Sequence, residues 1–117
     1  MMDTPKKVTP LERFAKEFGL KMIVARELRA LADLVAKAGE RWSNYGDIHD
    51  GMYETAYDRA QGQFYVFALA CGFDGYEMNG LYPTLTKGDR QFIEIPEDTA
   101  HLSRVGDRYL GYLGVQK

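Results

Sequence analysis

At 117 residues, with 45% apolar and 13% aromatic side chains, the chain is long enough for one core and too short for two, so a single domain is expected. A charged fraction of 27% is ordinary for a folded protein, and the longest strongly apolar run, Phe64 to Cys71, falls far short of the roughly 20 residues a membrane-spanning helix needs. Net charge is −2 but uneven: residues 1–40 carry eight basic and six acidic side chains, residues 41–100 four and ten, and the last 17 three and one, so the acidic middle weighs against general nucleic-acid binding and suits a basic partner surface.

Residues 1–8 read as a flexible tail. Lys6 and Lys7 are followed by no apolar stretch, so neither a secretory signal nor a lipoprotein leader is expected, and the cytoplasm is the expected location. The first helix starts at Thr9-Pro10-Leu11-Glu12, where threonine can cap, proline suits the first turn and Glu12 can reach back to the cap. Leu11, Phe14, Ala15 and Phe18 make its apolar stripe, and Gly19 is a natural stop.

A second helix is expected over Lys21–Ala38, with Val24, Leu28, Leu31 and Val35 on one face and Gly39 past its end. Ile23, Ala25, Ala32 and Leu34 widen that face, which predicts packing on two sides, and Asp33 with Lys37 has ion-pair spacing. Arg41 to Gly51 is polar and rich in turn formers, so a connecting loop is expected there. A third helix is predicted from about Asp50 to Cys71, with Tyr53, Tyr57, Ala60, Phe64, Phe67 and Cys71 at helical spacing and Gly72 at its exit. Its second half is apolar nearly all round, which predicts burial on most sides, and Gly62 within it predicts a close backbone approach. The lone Cys71 excludes an intrachain disulfide and reads as a small buried hydrophobe.

Phe73 to Gly80 reads as a turn region. After it the hydrophobic period changes to two, and Leu81–Thr86 and Arg90–Ile95 form a hairpin around Lys87-Gly88-Asp89. This register puts Leu81, Pro83, Leu85, Ile93 and Ile95 on the core face and Tyr82, Thr84, Thr86, Arg90, Phe92 and Glu94 on the other. Pro83 demands an edge strand or a free N–H side. Residues 99–115 fit a further hairpin better than a helix because Gly106, Gly111 and Gly114 penalise helix. The reading is an α+β domain over residues 9–117: three helices, then a small antiparallel sheet of two to four strands.

For chemistry, Asp47, His49, Asp50, Glu54 and Asp58 form the densest polar cluster, with Asp50, Glu54 and Asp58 on one helical face. Such a set could hold a divalent metal in a small metal-dependent enzyme, although acidic residues at a helix start are favoured by the dipole alone. No nucleophile motif, glycine-rich phosphate loop or zinc-spaced cysteine pair is present, and His49 and His101 are the only histidines, so catalysis has little support and no metal or cofactor is expected.

Residues 11–31 resemble a helix-turn-helix in the spacing of Phe14-Ala15, Gly19-Leu20, Ala25 and Leu28, which implies a dimeric DNA-binding regulator with Arg26 and Arg29 on phosphates. Met22, Ile23 and Val24, however, stand where polar groups should reach bases. The aromatic excess points elsewhere. Tyr45, Tyr76, Tyr82, Phe92 and Tyr112 fall in expected loops or off the core face, and exposed aromatics beside carboxylates suit protein-binding surfaces. The expected function is therefore non-enzymatic docking on another protein through Trp42, Tyr45, Asp47, Asp50, Glu54, Asp58, Tyr76, Tyr82 and Phe92, with a homodimer through the hairpin or third helix as a further expectation. Small size, an acidic middle and the lack of catalytic motifs resemble bacteriophage or mobile-element accessory proteins, some of which inhibit host defence machinery by occupying its surfaces.

Overall fold

The computed structural model describes residues 8–46 and 51–98. Three helices, α1 (Pro10–Glu17), α2 (Met22–Tyr45) and α3 (Met52–Ala70), are followed by strands β1 (Gly75–Asn79), β2 (Tyr82–Lys87) and β3 (Arg90–Ile93) in one antiparallel sheet of order β1-β2-β3. The fold is α+β. The expected second hairpin over 99–115 lies outside the described residues.

The start of α1 carries the capping box its sequence predicts. Glu12 N–H donates to Thr9 Oγ1 at 3.1 Å, and Thr9 N–H donates to Glu12 Oε1 at 3.2 Å. Gly19 and Gly72 close α1 and α3 in the same way, with φ of +67° and +97°. In each case the glycine N–H and the next residue's N–H turn back into the last turn: Leu20 donates to Ala15 O at 2.7 Å and Phe73 to Ala68 O at 3.1 Å. This double closure needs a left-handed residue, and glycine takes that conformation without a Cβ penalty.

Gly39 looks like the same signal and is not. α2 continues through it to Tyr45, so the predicted end at Ala38 and the predicted loop from Arg41 are both corrected. Gly39 is buried inside the helix, where an added Cβ would lie 2.9 Å from Tyr57 Cε1. Its job is to let the α3 tyrosine ring approach α2. Gly62 behaves in the opposite way: nothing lies within 4 Å of its would-be Cβ, so the expected close approach is absent among the described residues. Gly39→Val should therefore destabilise the protein by about 1–3 kcal/mol through overpacking. Gly62→Ala should stabilise it by about 1 kcal/mol through helix propensity alone. Urea unfolding of both variants checks the contrast, and equal shifts would contradict it.

The core lies where α1, α2, α3 and the sheet meet, with Leu11, Leu28, Val35, Phe64 and Leu85 fully buried. Phe14, Phe18 and Phe73 add an aromatic cluster at the α1 end, with ring centroids 5.0–6.1 Å apart. The predicted helix stripes hold where they face this core. Beyond it they do not: Ile23 and Leu34 on α2, and Tyr65, Val66 and Leu69 on α3, are exposed. The apolar second half of α3 therefore buries one side only, with Phe64 and Ala68 as its buried residues, and Cys71 is half-buried.

β1 arises where a turn region is expected, because its inward residues Tyr76 and Met78 pair with Leu85 and Pro83 of β2. Within the hairpin, Pro83, Leu85, Ile93 and Ile95 are buried as predicted, whereas Leu81 is exposed in the loop. Thr84 corrects the expected outer face: it is buried, and its hydroxyl donates to the Glu77 carbonyl at 2.9 Å. Pro83 sits in the central strand. Asn79 and Tyr82 close a two-residue loop, so the next pair, Met78–Pro83, is not hydrogen-bonded, and the Pro83 nitrogen faces the side where β3 has stopped at Ile93. β3 is also bulged. One extra residue lies between its pairings to Lys87 and Leu85, and Phe92 there takes φ +58° with its ring exposed.

Candidate docking edge on α3

Helical spacing places Glu54, Asp58, Gln61 and Tyr65 on a single stripe of α3, at i, i+4, i+7 and i+11. This stripe borders the sheet through Tyr76. The Tyr76 hydroxyl donates to Gln61 Oε1 at 2.8 Å, and its ring lies 5.9 Å from Tyr65 and 5.6 Å, edge-on, from Phe64. Asp58, Gln61, Gly62, Tyr65 and Tyr76 surround a shallow depression of about 400 Å³. Further along the α2–α3 seam, Trp42 stacks obliquely with Tyr57 at 5.5 Å, and Tyr45 meets Tyr53 at 5.9 Å. Two groups of rings thus flank α3: Trp42, Tyr45, Tyr53 and Tyr57 along the seam with α2, and Tyr65 with Tyr76 beside Asp58.

The sequence-predicted site residues divide accordingly. Asp58 and Tyr76 come together at the α3 edge and Glu54 lies one turn before Asp58 on its stripe, whereas Trp42 and Tyr45 pack on the α2–α3 seam against Tyr57 and Tyr53. Tyr45 lies at the end of α2 and Tyr76 on the inner face of β1, not in loops. Tyr82 and Phe92 are exposed on β2 and β3 and take no part in these ring contacts; Tyr82 lies instead under Arg29, 4.8 Å from its guanidinium. Asp47, Asp50, His49 and Tyr112 lie outside the described residues. Gln61 and Tyr65 belong to the edge and were missed as site residues. Their i+3 and i+7 spacing from Asp58 was visible, but a second half of the helix expected to be buried on most sides hid it.

Burial pushes the Tyr76 phenol above its ordinary value, with the neighbouring Tyr57, Asp58 and Tyr65 adding to the shift. The folded state therefore holds this proton more tightly than the unfolded chain. The associated stability is complete below pH 10, the ordinary tyrosine value, and is lost as pH rises through the higher folded value. Tyr76→Phe removes this term together with the bond to Gln61. The variant should be less stable than the parent by about 1 kcal/mol at neutral pH, and the gap should close above pH 10. Urea unfolding at neutral and alkaline pH measures this. A gap that widens with pH would contradict it. Burial likewise raises the Cys71 thiol, which makes it a poor nucleophile.

Other candidate chemistry is less well supported by the geometry. A cavity of about 340 Å³ lies between α2 and β2, with Arg29, Asn79, Tyr82, Thr84 and Glu94 around it. Its cation is already engaged: Arg29 Nη1 donates to the Ile95 carbonyl at 2.8 Å, and Nε lies 2.9 Å from Asp33 Oδ1, close in distance though off hydrogen-bond alignment. Asp33 thus pairs backward to Arg29, not forward to Lys37 as its spacing suggested. Arg26 Nε lies 3.2 Å from Asp98 Oδ2. Both arginines assigned to phosphates in the helix-turn-helix resemblance thus tie the segment after β3 to α2. Among the described residues no three His, Cys, Asp or Glu side chains converge as a metal would require, and no helix is long and apolar enough to cross a membrane. No family model, curated protein or solved structure matches the chain.

Proposed function

We propose that the protein is a non-enzymatic binding module that docks on another protein through the acidic, aromatic edge of α3. The observation that carries this reading is the surface depression in which Asp58 lies with the half-exposed rings of Tyr65 and Tyr76, with Glu54 one turn before Asp58 on the same stripe of α3. Tyrosine and tryptophan supply large contact area at low entropic cost, and carboxylates beside them select a basic surface. An acidic edge of this kind fits an inhibitor that occupies a basic groove, the role to which the accessory-protein resemblance also points. Affinity capture from a lysate of the native host, at low and high salt, tests it. The expected result is one stoichiometric protein partner, lost as salt is raised. Recovery of nucleic acid alone, or of nothing but the protein itself, would contradict it.

A further inference from the structure

α3 carries opposite charges on its two sides. Away from the sheet, α2 and α3 enclose an open groove of about 220 Å³ with Leu34, Ala38, Ala56 and Ala60 as its apolar floor and wall. Lys37, Arg41 and Arg59 rim it, with Gln63, and among the described residues no carboxylate lines it. None of the three cations is in an ion pair among the described residues; Asp33, the candidate partner of Lys37, is engaged by Arg29. Leu34, in its lining, is 51% exposed, although the chain buries smaller alanines on the same helix.

We infer that this groove is a second docking site, for an acidic amphipathic helix of another protein. Charge complementarity selects the occupant: three cations without an ion pair among the described residues, around an apolar floor, call for carboxylates flanking aliphatic side chains. The length agrees. Leu34 to Arg41 spans eight residues, seven steps of about 1.5 Å or about 10 Å of helix, enough to seat two turns of a partner. The floor has room for one or two branched aliphatic side chains. Nucleic acid fits less well, because among the described residues no aromatic ring lines the groove for base stacking and the wider chain is acidic. The site is independent of the aromatic edge. Together they would let one helix bridge a basic partner on one side and an acidic one on the other.

The test uses the full chain and a fluorescein-labelled glutamate–leucine peptide with leucines at i, i+3, i+4 and i+7. Fluorescence anisotropy should report binding that falls at least tenfold in Lys37→Glu with Arg59→Glu and in Leu34→Ser, while Glu54→Lys with Asp58→Lys leaves it intact. All replaced side chains are exposed, and thermal unfolding checks that each variant folds. Amide shifts on peptide addition should map to residues 34–41 and 56–63. Four results would each overturn the inference: no binding, equal binding of a glutamate–alanine peptide, equal binding of a single-stranded oligonucleotide lost in the same variants, or a stable dimer that the Leu34→Ser substitution dissociates.

Discussion

Phe64→Ala is expected to destabilise the protein by about 3–5 kcal/mol, the range for removing a fully buried aromatic side chain. Phe64 has no exposed surface and packs edge-on against Tyr76 of β1, so it joins α3 to the sheet. α3 has no other large buried anchor, since Ala68 is its only other buried residue. Set against the roughly 5–15 kcal/mol that holds a typical domain, the loss is a large fraction of the total. It should also release the face that carries Glu54, Asp58 and Tyr65. Val66→Ala, two residues away and 67% exposed, should shift stability by less than about 0.5 kcal/mol. Urea unfolding of the pair measures this, and similar losses for both would mean that α3 packs through a different face.

The second large effect concerns binding. Glu54→Lys combined with Asp58→Lys should weaken capture of the protein partner at least tenfold, about 1.4 kcal/mol or more, without a matching loss of stability. Both residues are exposed and neither forms an ion pair among the described residues, so the reversal costs the fold little beyond the helix-dipole interaction of Glu54 in the first turn of α3. The remaining binding should also be less sensitive to salt than that of the parent, because the reversed charges no longer contribute attraction that ions can screen. Partner affinity measured across a salt series reads both effects. Unchanged affinity would place the interface elsewhere.

The architecture was legible where local chemistry and tertiary packing agree. Thr9, Pro10 and Glu12 specify a helix start through backbone hydrogen bonds that need no partner element, and Gly19 and Gly72 specify left-handed exits for the same reason. The buried face of the hairpin followed from Leu85, Ile93 and Ile95, but its register did not: Lys87 pairs with Arg90 around a two-residue loop, where Lys87-Gly88-Asp89 was expected as the loop, and a bulge in β3 restores Ile93 to the core face opposite Leu85. Gly39 was misread because a stop glycine and a packing glycine look identical until Tyr57 is placed opposite it. Tyr76 was misread because a segment crowded with glycine, aspartate and asparagine gives no alternation until β2 supplies a pairing partner.

The candidate site was legible only in part. Glu54, Asp58 and Trp42 were visible as an acidic, aromatic neighbourhood, but periodicity cannot tell which side of an apolar helix the rest of the chain covers. The second half of α3 was expected to be buried on most sides, and Tyr65, Val66 and Leu69 are exposed. The basic groove was hidden by a local rule: the Asp33–Lys37 spacing promised an ion pair that Arg29 takes instead.

The central claim, that α3 presents the docking edge, is tested most directly by site-specific photo-crosslinking in the native host. A benzoylphenylalanine at Tyr65, on the edge, is compared with one at Ile23, which is 73% exposed on α2 and lies off it. A single discrete protein adduct formed from position 65 and absent from position 23 is the predicted result. Adducts of equal yield from both positions, or from position 23 alone, would contradict it.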